Sequence, residues 1–303
     1  MKLTRRSLLT SAIAGSSFVS WQKVFGQTQK NQVRARQKSQ NNDGANTGPY
    51  DFTNSYDSLA AYAKMRGRLD GGIGIFHYLT HCYGLPDGKS SRLMFRQEGV
   101  SLQRVTVRED QNLEIQHIEV SYIQHADTGA VMDWYDNPYT GMLVKVSHTK
   151  PTPSPRMVMT PVGGYNPDVD WELPSLIQSK IGAPLFTSDG RIFFSDDTIL
   201  FMGENVEKNA RVIDHIGDLS ITQLITLESS ARQVQDPELT SAKSVAIISS
   251  VMPWGGWLKM TTVPGHMILR CLAEKLDDQA EVPHWLARRI DNDFPNFFTE
   301  PLI

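Results

Sequence analysis

Cysteine is nearly absent from this chain: Cys82 and Cys271 are the only two in 303 residues. No cysteine cluster can therefore hold zinc or an iron–sulfur centre. Charge of one sign is lacking as well, with 30 basic against 33 acidic residues and a net charge of −3. Without residues 1–26 the balance is 26 basic against 33 acidic, or −7, which leaves no general basic footprint for nucleic acid or an anionic membrane surface. Long apolar runs are missing too. The longest weakly apolar stretch, Ser7–Trp21, is shorter than the roughly 20 residues a membrane helix needs and contains several serines. The chain has no G-x-S-x-G nucleophile elbow and no H-E-x-x-H pair, which disfavours an α/β-hydrolase and a zinc peptidase. It also has no G-x-G-x-x-G after a strand and no phosphate loop, and no βαβ alternation, so a doubly wound nucleotide fold is not expected. What remains is a chain with 40% hydrophobic and 21% charged residues, compatible with a folded globular domain.

The first 26 residues contain Lys2, Arg5, Arg6 and Lys23 and no acid. A positive start, a short apolar stretch and the small Gly26 read as an export signal cleaved before Gln27. The Arg5-Arg6 pair inside Thr4–Leu9 resembles a twin-arginine signal, which implies the twin-arginine export machinery as a partner and a periplasmic or secreted location. The alternative is an ordinary secretory signal that carries two arginines. Residues 27–48 are rich in Gln, Asn, Lys and Arg and cannot bury enough apolar surface to offset ordering entropy, so they read as a disordered linker. One domain is then expected over residues 49–303. In an oxidising compartment Cys82 and Cys271 could bond, and two buried free thiols are the alternative.

The folded part opens with a helix over Tyr50–Arg66, capped at Ser55 and stopped by Gly67. Period-two alternation follows over Gly71–Cys82, Arg92–Gln97, Leu102–Arg108 and Leu113–Gln124. Two turns, Asp127-Thr128-Gly129 and Asn137–Gly141, each open on Asp or Asn and close on Gly, which predicts a β-meander. Further strands are expected at Met157–Val162, Arg191–Met202, Leu219–Glu228 and Lys243–Met252, with Asp196-Asp197 read as a hairpin turn. Met267–Leu276 and Pro283–Ile290 read as helices. The expected fold is mainly β: an antiparallel meander forming a barrel or strongly curved sheet of calycin or lipocalin type, with an N-terminal helix and one or two C-terminal helices.

Several residues are candidates for chemistry. His77 and His81 are four apart on a strand, roughly 13 Å, too far for one zinc, and read as structural histidines. His117, Glu119 and His125 share a strand face, with His148 ending a neighbouring strand; inside a barrel such a group could bind metal or run acid–base chemistry, and for His117 and Glu119 the reading preferred is the solvated side of the sheet. Asp168, Asp170 and Glu172 lie close together but lack the glycine and distal glutamate of a calcium loop. No metal site is expected, and no cofactor can be named. Pro253–Met260 brings Trp254 and Trp257 together with two glycines and Met260. That composition suits the lip of an apolar pocket, with Trp134 nearby in the meander, or an aromatic plug closing one barrel end.

Four stretches resemble one family: Lys64–Gly71, Phe95–Arg104 (FRQEGVSLQR), Thr128–His148 (TGAVMDWYDNPYTGMLVKVSH) and Trp254–Gly265 with the Pro283 region. They are similar to the domain-of-unknown-function family 1838 (DUF1838), whose bacterial members often carry a twin-arginine signal. The chain departs from that pattern at His77 and in the proline-rich Thr149–Pro155. The resemblance implies export and a shared fold over most of residues 50–300 and carries no reaction. Three functions follow as expectations: a barrel binding a small apolar or aromatic molecule at Trp134, Trp254, Trp257 and Met260; an enzyme using His148 for acid–base chemistry, with Arg104 or Tyr122 stabilising an anion; and a structural or interaction module.

Overall fold

The computed structural model describes residues 48–154, 156–165, 167, 177–181, 183–202 and 219–301. The export signal, the linker up to residue 47, and Asp168, Asp170 and Glu172 lie outside the described residues.

Among the described residues, thirteen strands and three helices make a mainly β fold. The strands are β1 (Ile73–Pro86), β2 (Arg92–Val107), β3 (Leu113–His125), β4 (Trp134–Asn137), β5 (Met142–Lys145), β6 (Met157–Thr160), β7 (Gly163–Tyr165), β8 (Ile177–Ile181), β9 (Leu185–Phe186), β10 (Arg191–Met202), β11 (Leu219–Ser230), β12 (Ser244–Met252) and β13 (Gly265–Leu276). The helices are α1 (Ser55–Arg66), α2 (Ala231–Gln235) and α3 (His284–Asp293). The main sheet is curled and antiparallel, in the order β11-β12-β13-β1-β2-β3-β6-β7-β8-β10, and β10 pairs with β11 in turn. The ladder therefore returns on itself. Its body is the long strands β10–β13 and β1–β3; the short β6–β8 complete the ring, with β7 and β8 joined at the single register pair Gly164↔Ser179.

The curl leaves an inside to be filled, and α1 fills one end of it. Asn54, one residue before the expected cap, accepts from the Tyr56 N–H at 3.0 Å. Leu59, Ala61, Tyr62, Ala63 and Met65 are all essentially buried, so the helix is apolar almost all round, as an interior helix must be. They pack with Phe76, Val105, Ile115, Met159, Ile192, Phe194 and Leu227 from the inner faces of six strands. The last turn is held by a lysine amine. Lys275 Nζ, from β13, donates to the carbonyls of Lys64 (2.9 Å) and Gly67, which have no partner within the helix. Lys64 Nζ in turn donates to the Val234 carbonyl at 3.0 Å.

The opposite end is closed by the β4–β5 hairpin and residues 254–263. Tyr135, Val144 and Val146 pack with Phe95, Met132, Leu258 and Met260, and Trp254 and Trp257 lie against that cluster. Buried Asn137 ties the two pieces together, donating to the Leu258 carbonyl at 2.8 Å. The hairpin turn needs Gly141 at φ +67, a conformation costly for other residues. A third cluster sits on the outside. Leu286 and Ile290 of α3, with Val282 and Phe297, cover the outward Val100, Leu102, Ile118, Val120 and Tyr122 of β2 and β3.

Three expectations are corrected. Met267–Leu276 is strand β13, not helix, because it pairs with β1 on one side and β12 on the other along most of its length. Asp196-Asp197 is mid-strand in β10, paired with both β11 and β8, because Asp196 points inward to partners on α1. The face of β3 carrying His117 and Glu119 is the inner face, not the solvated one, because α3 covers the other side.

Candidate functional site

Between the two end clusters, on the inner face of the sheet, lies a partly open cavity of about 240 Å³. Its walls differ in chemistry. One wall is polar and comes from the inward rows of β2 and β3: Gln97, Ser101 and Gln103 beside His117 and Glu119. The other is mostly apolar and comes from β11–β13: Ile225, Leu227, Ala246, Ile248, Leu269 and Ala273, with Gln223, Ser250 and the Cys271 thiol among them. Period-two pairing produces both, since cross-strand neighbours on one face line up in register (Ser101↔Glu119, Gln103↔His117). Gly99 in the same row is required by close approach, since a Cβ there would lie 2.4 Å from the Val120 carbonyl and 2.8 Å from the Tyr78 ring.

At the α1 end, Arg66 enters the cavity lining and its charge is matched. Arg66 Nη1 lies 2.9 Å from Asp196 Oδ2 and also donates to Tyr62 Oη, while Nε donates to Gln103 Oε1 at 2.9 Å. Tyr62 Oη donates to the same Asp196 oxygen. Burial holds the Tyr62 phenol far above its ordinary value, so it stays protonated. Burial alone would lower Arg66; Tyr62 and Asp196 outweigh it and raise the guanidinium.

Deeper in, Glu119 has a single described hydrogen bond, from Tyr78 Oη at 3.4 Å, and burial pushes its carboxyl upward. The His117 imidazole makes none with the described residues; burial, and then Arg66, push it down to about 4, so it is neutral at pH 7. What accessible surface these two retain faces the cavity. Both cysteines are free thiols on the inner face of neighbouring strands, and burial pushes Cys82 up to about 12. Among the described residues no three His, Cys, Asp or Glu side chains come together in a metal-holding group.

The residues expected from the sequence lie elsewhere. His148 and Tyr122 are together, with ring centroids 5.4 Å apart, but on the outer side beneath α3. His148 Nδ1 accepts the Ile123 N–H at 3.1 Å, so that lone pair is occupied by the backbone, and burial holds the ring below its ordinary value. Tyr122 Oη donates to Asp293 at 2.9 Å; burial, then Asp293, raise the phenol. Arg104 is not with them. It opposes Gln116 on β3, six residues from the Glu98 that opposes Tyr122, which is roughly 20 Å along the strand. Trp257 lies 5.4 Å from Phe95 and 6.0 Å from Tyr135 (ring centroids), and Trp254 Nε1 donates to the Val263 carbonyl at 2.9 Å. These two and Met260 belong to the closed end, Trp134 is 54% exposed, and none of the four lines the cavity. His77 faces outward and pairs with Glu98 at 3.0 Å.

Of the cavity residues, His117 and Glu119 were weighed from the sequence and placed on the solvated face, and Gln97, Ser101 and Gln103 were missed, although a signal existed. Gln97, Ser101 and Gln103 alternate with Val100 and Leu102 on one strand, as His117 and Glu119 do with Ile118 and Val120 on the next. Two adjacent strands, each with one polar and one apolar row, followed by an amphipathic C-terminal helix that can cover the apolar row, point to a polar interior.

The fold and this cavity define a class: an antiparallel curled-sheet protein plugged at both ends around a two-faced internal space. The chain belongs to the family described as Protein of unknown function (DUF1838), whose model matches residues 75–302. The match begins inside β1, so α1 and Lys64–Gly71 precede it. No curated protein and no solved structure matches the chain.

Proposed function

We propose that this protein binds a small molecule inside the barrel, between the polar wall of β2–β3 and the apolar wall of β11–β13. The observation that carries the reading is the cavity of about 240 Å³ with Glu119 and His117 facing it almost unpartnered. Buried polar groups without partners are costly, and a ligand or ordered water satisfies them. The volume exceeds the ~150 Å³ of an engineered cavity that binds benzene, so the ligand is of single-ring size. The residues near Trp254 and Trp257 then serve as an end plug and not as the ligand's lip. The first 26 residues act as a twin-arginine signal on this reading, and the barrel works in the periplasm or outside the cell.

Ala246→Phe, on the apolar wall, tests the site. It should abolish binding of a probe such as toluene while the far-ultraviolet spectrum stays unchanged; unchanged affinity would sink the reading. Replacing Arg5 and Arg6 by lysine should trap the protein in the cytoplasm, read by fractionation.

A second reading is an enzyme in the same cavity. It is favoured by a raised carboxyl, Glu119, and a neutral imidazole, His117, on one strand face and both turned to the same space, an acid and a base of the kind general acid–base chemistry uses. A variant such as His117→Asn that keeps binding and loses turnover would support it.

A further inference from the structure

We infer that the cavity selects a ligand presenting a hydrogen-bond donor, an amine or hydroxyl on a ring-sized apolar body, to Glu119, and that it rejects carboxylates of the same size. This rests on the binding reading above and names the ligand class. The argument is one of charge and of unspent hydrogen-bonding capacity. Among the described residues lining the cavity, Glu119 is the only carboxylate and Arg66 the only side chain that is always a cation. Arg66 is not available as an anion partner, because Asp196 lies 2.9 Å away and matches its charge. Tyr62 and Gln103 take further donors of the same guanidinium. Ionised Glu119 is therefore the one charge of the described lining left without a partner, and because burial raises its carboxyl, a donating ligand is what holds it in that form.

Glu119 also has acceptor capacity left over. An ionised carboxylate offers about four acceptor positions. Here Oε2 receives one contact at 3.4 Å, longer than a good O–H···O bond, and Oε1 receives none from the described residues. A ligand donor placed there gains a charge-assisted bond that water supplies less rigidly. The rest of the ligand meets a surface made mainly of Ile225, Leu227, Ala246, Ile248, Leu269 and Ala273, in which Gln223 and Ser250 are the polar exceptions, so its body is largely apolar. A carboxylate of the same shape would bring a second negative charge beside Glu119 with no free cation to offset it.

The test uses the full chain and four probes of one size: toluene, benzyl alcohol, benzylamine and benzoate, titrated calorimetrically at pH 7.5. Benzylamine should bind at least tenfold tighter than toluene, benzyl alcohol should lie between them, and benzoate should be weakest. Glu119→Gln should bring benzylamine to the level of benzyl alcohol and leave toluene unchanged. Benzoate binding as tightly as benzylamine, or benzylamine binding unchanged in Glu119→Gln, overturns this inference and leaves the cavity reading standing. If none of the four binds, both fall. Should the variant not fold, the order of the four probes on the unaltered chain decides.

Discussion

Asp196→Asn is the substitution whose consequence the structure fixes best. Asp196 is 1% exposed and the Arg66 side chain 11% exposed, and their contact is 2.9 Å. The change keeps the size of the side chain but leaves the Arg66 charge inside the barrel with no counter-ion. Tyr62 cannot replace it, since its buried phenol stays protonated. Breaking a buried pair by removing one partner costs about 3–5 kcal/mol. In a domain of this size one kcal/mol moves the melting temperature by roughly 2–4 °C, so a fall on the order of 10 °C is expected. Arg66→Met should also destabilise, because it strands Asp196. The double variant Arg66→Met with Asp196→Leu removes both charges and fills the space with apolar atoms. It should recover at least about 2 kcal/mol relative to the sum of the single costs, as coupled neighbours do. Urea unfolding followed by circular dichroism gives all three values. The reasoning is refuted if Asp196→Asn costs under about 1 kcal/mol, or if the double variant is additive within about 0.5 kcal/mol.

Other outcomes follow from the same interior. The folded value of His117, about 4 against an ordinary 6.5, means that the unfolded chain takes up its proton first. Stability is full above pH 6.5 and falls by up to about 3 kcal/mol as pH drops to 4; His117→Asn should remove that loss from urea curves at pH 7 and 4.5. Burial, then Arg68, bring Lys275 down to about 7 from 10.5. Between those values the unfolded chain holds the extra proton, so stability rises with pH, by about 3 kcal/mol from pH 7 to 9.5; Lys275→Met should lack that rise. Trp257→Ala should cost about 3 kcal/mol by opening the aromatic cluster with Phe95 and Tyr135. It should leave toluene affinity in the cavity unchanged within twofold, and a larger loss would return the ligand site to the tryptophan loop.

The strands were largely legible because alternation is a local property: residues 92–125 announce their period in one or two dozen positions. The meander turns were legible for the same reason, with Gly129 and Gly141 at positive φ as their turn chemistry requires. Met267–Leu276 was not, because its outward Ile268 and Leu272 are apolar alongside the inward Met267, Leu269 and Cys271, and a strand apolar on both faces shows no period. Asp196 looked like a turn residue because its partners, Tyr62 and Arg66, stand 134 and 130 residues away in sequence.

The site divides along the same line. Composition and local pattern determined that this chain is a curled antiparallel sheet without a nucleophile elbow or a phosphate loop, and they located the residues that alternate. They did not determine which face of β2 and β3 is the inside. That choice was made by α3, which buries Leu286 and Ile290 against Val100, Leu102, Ile118 and Val120 and so turns Ser101, Gln103, His117 and Glu119 toward the cavity. Alternation fixes two faces, and only the element that packs on one of them assigns the other to the interior.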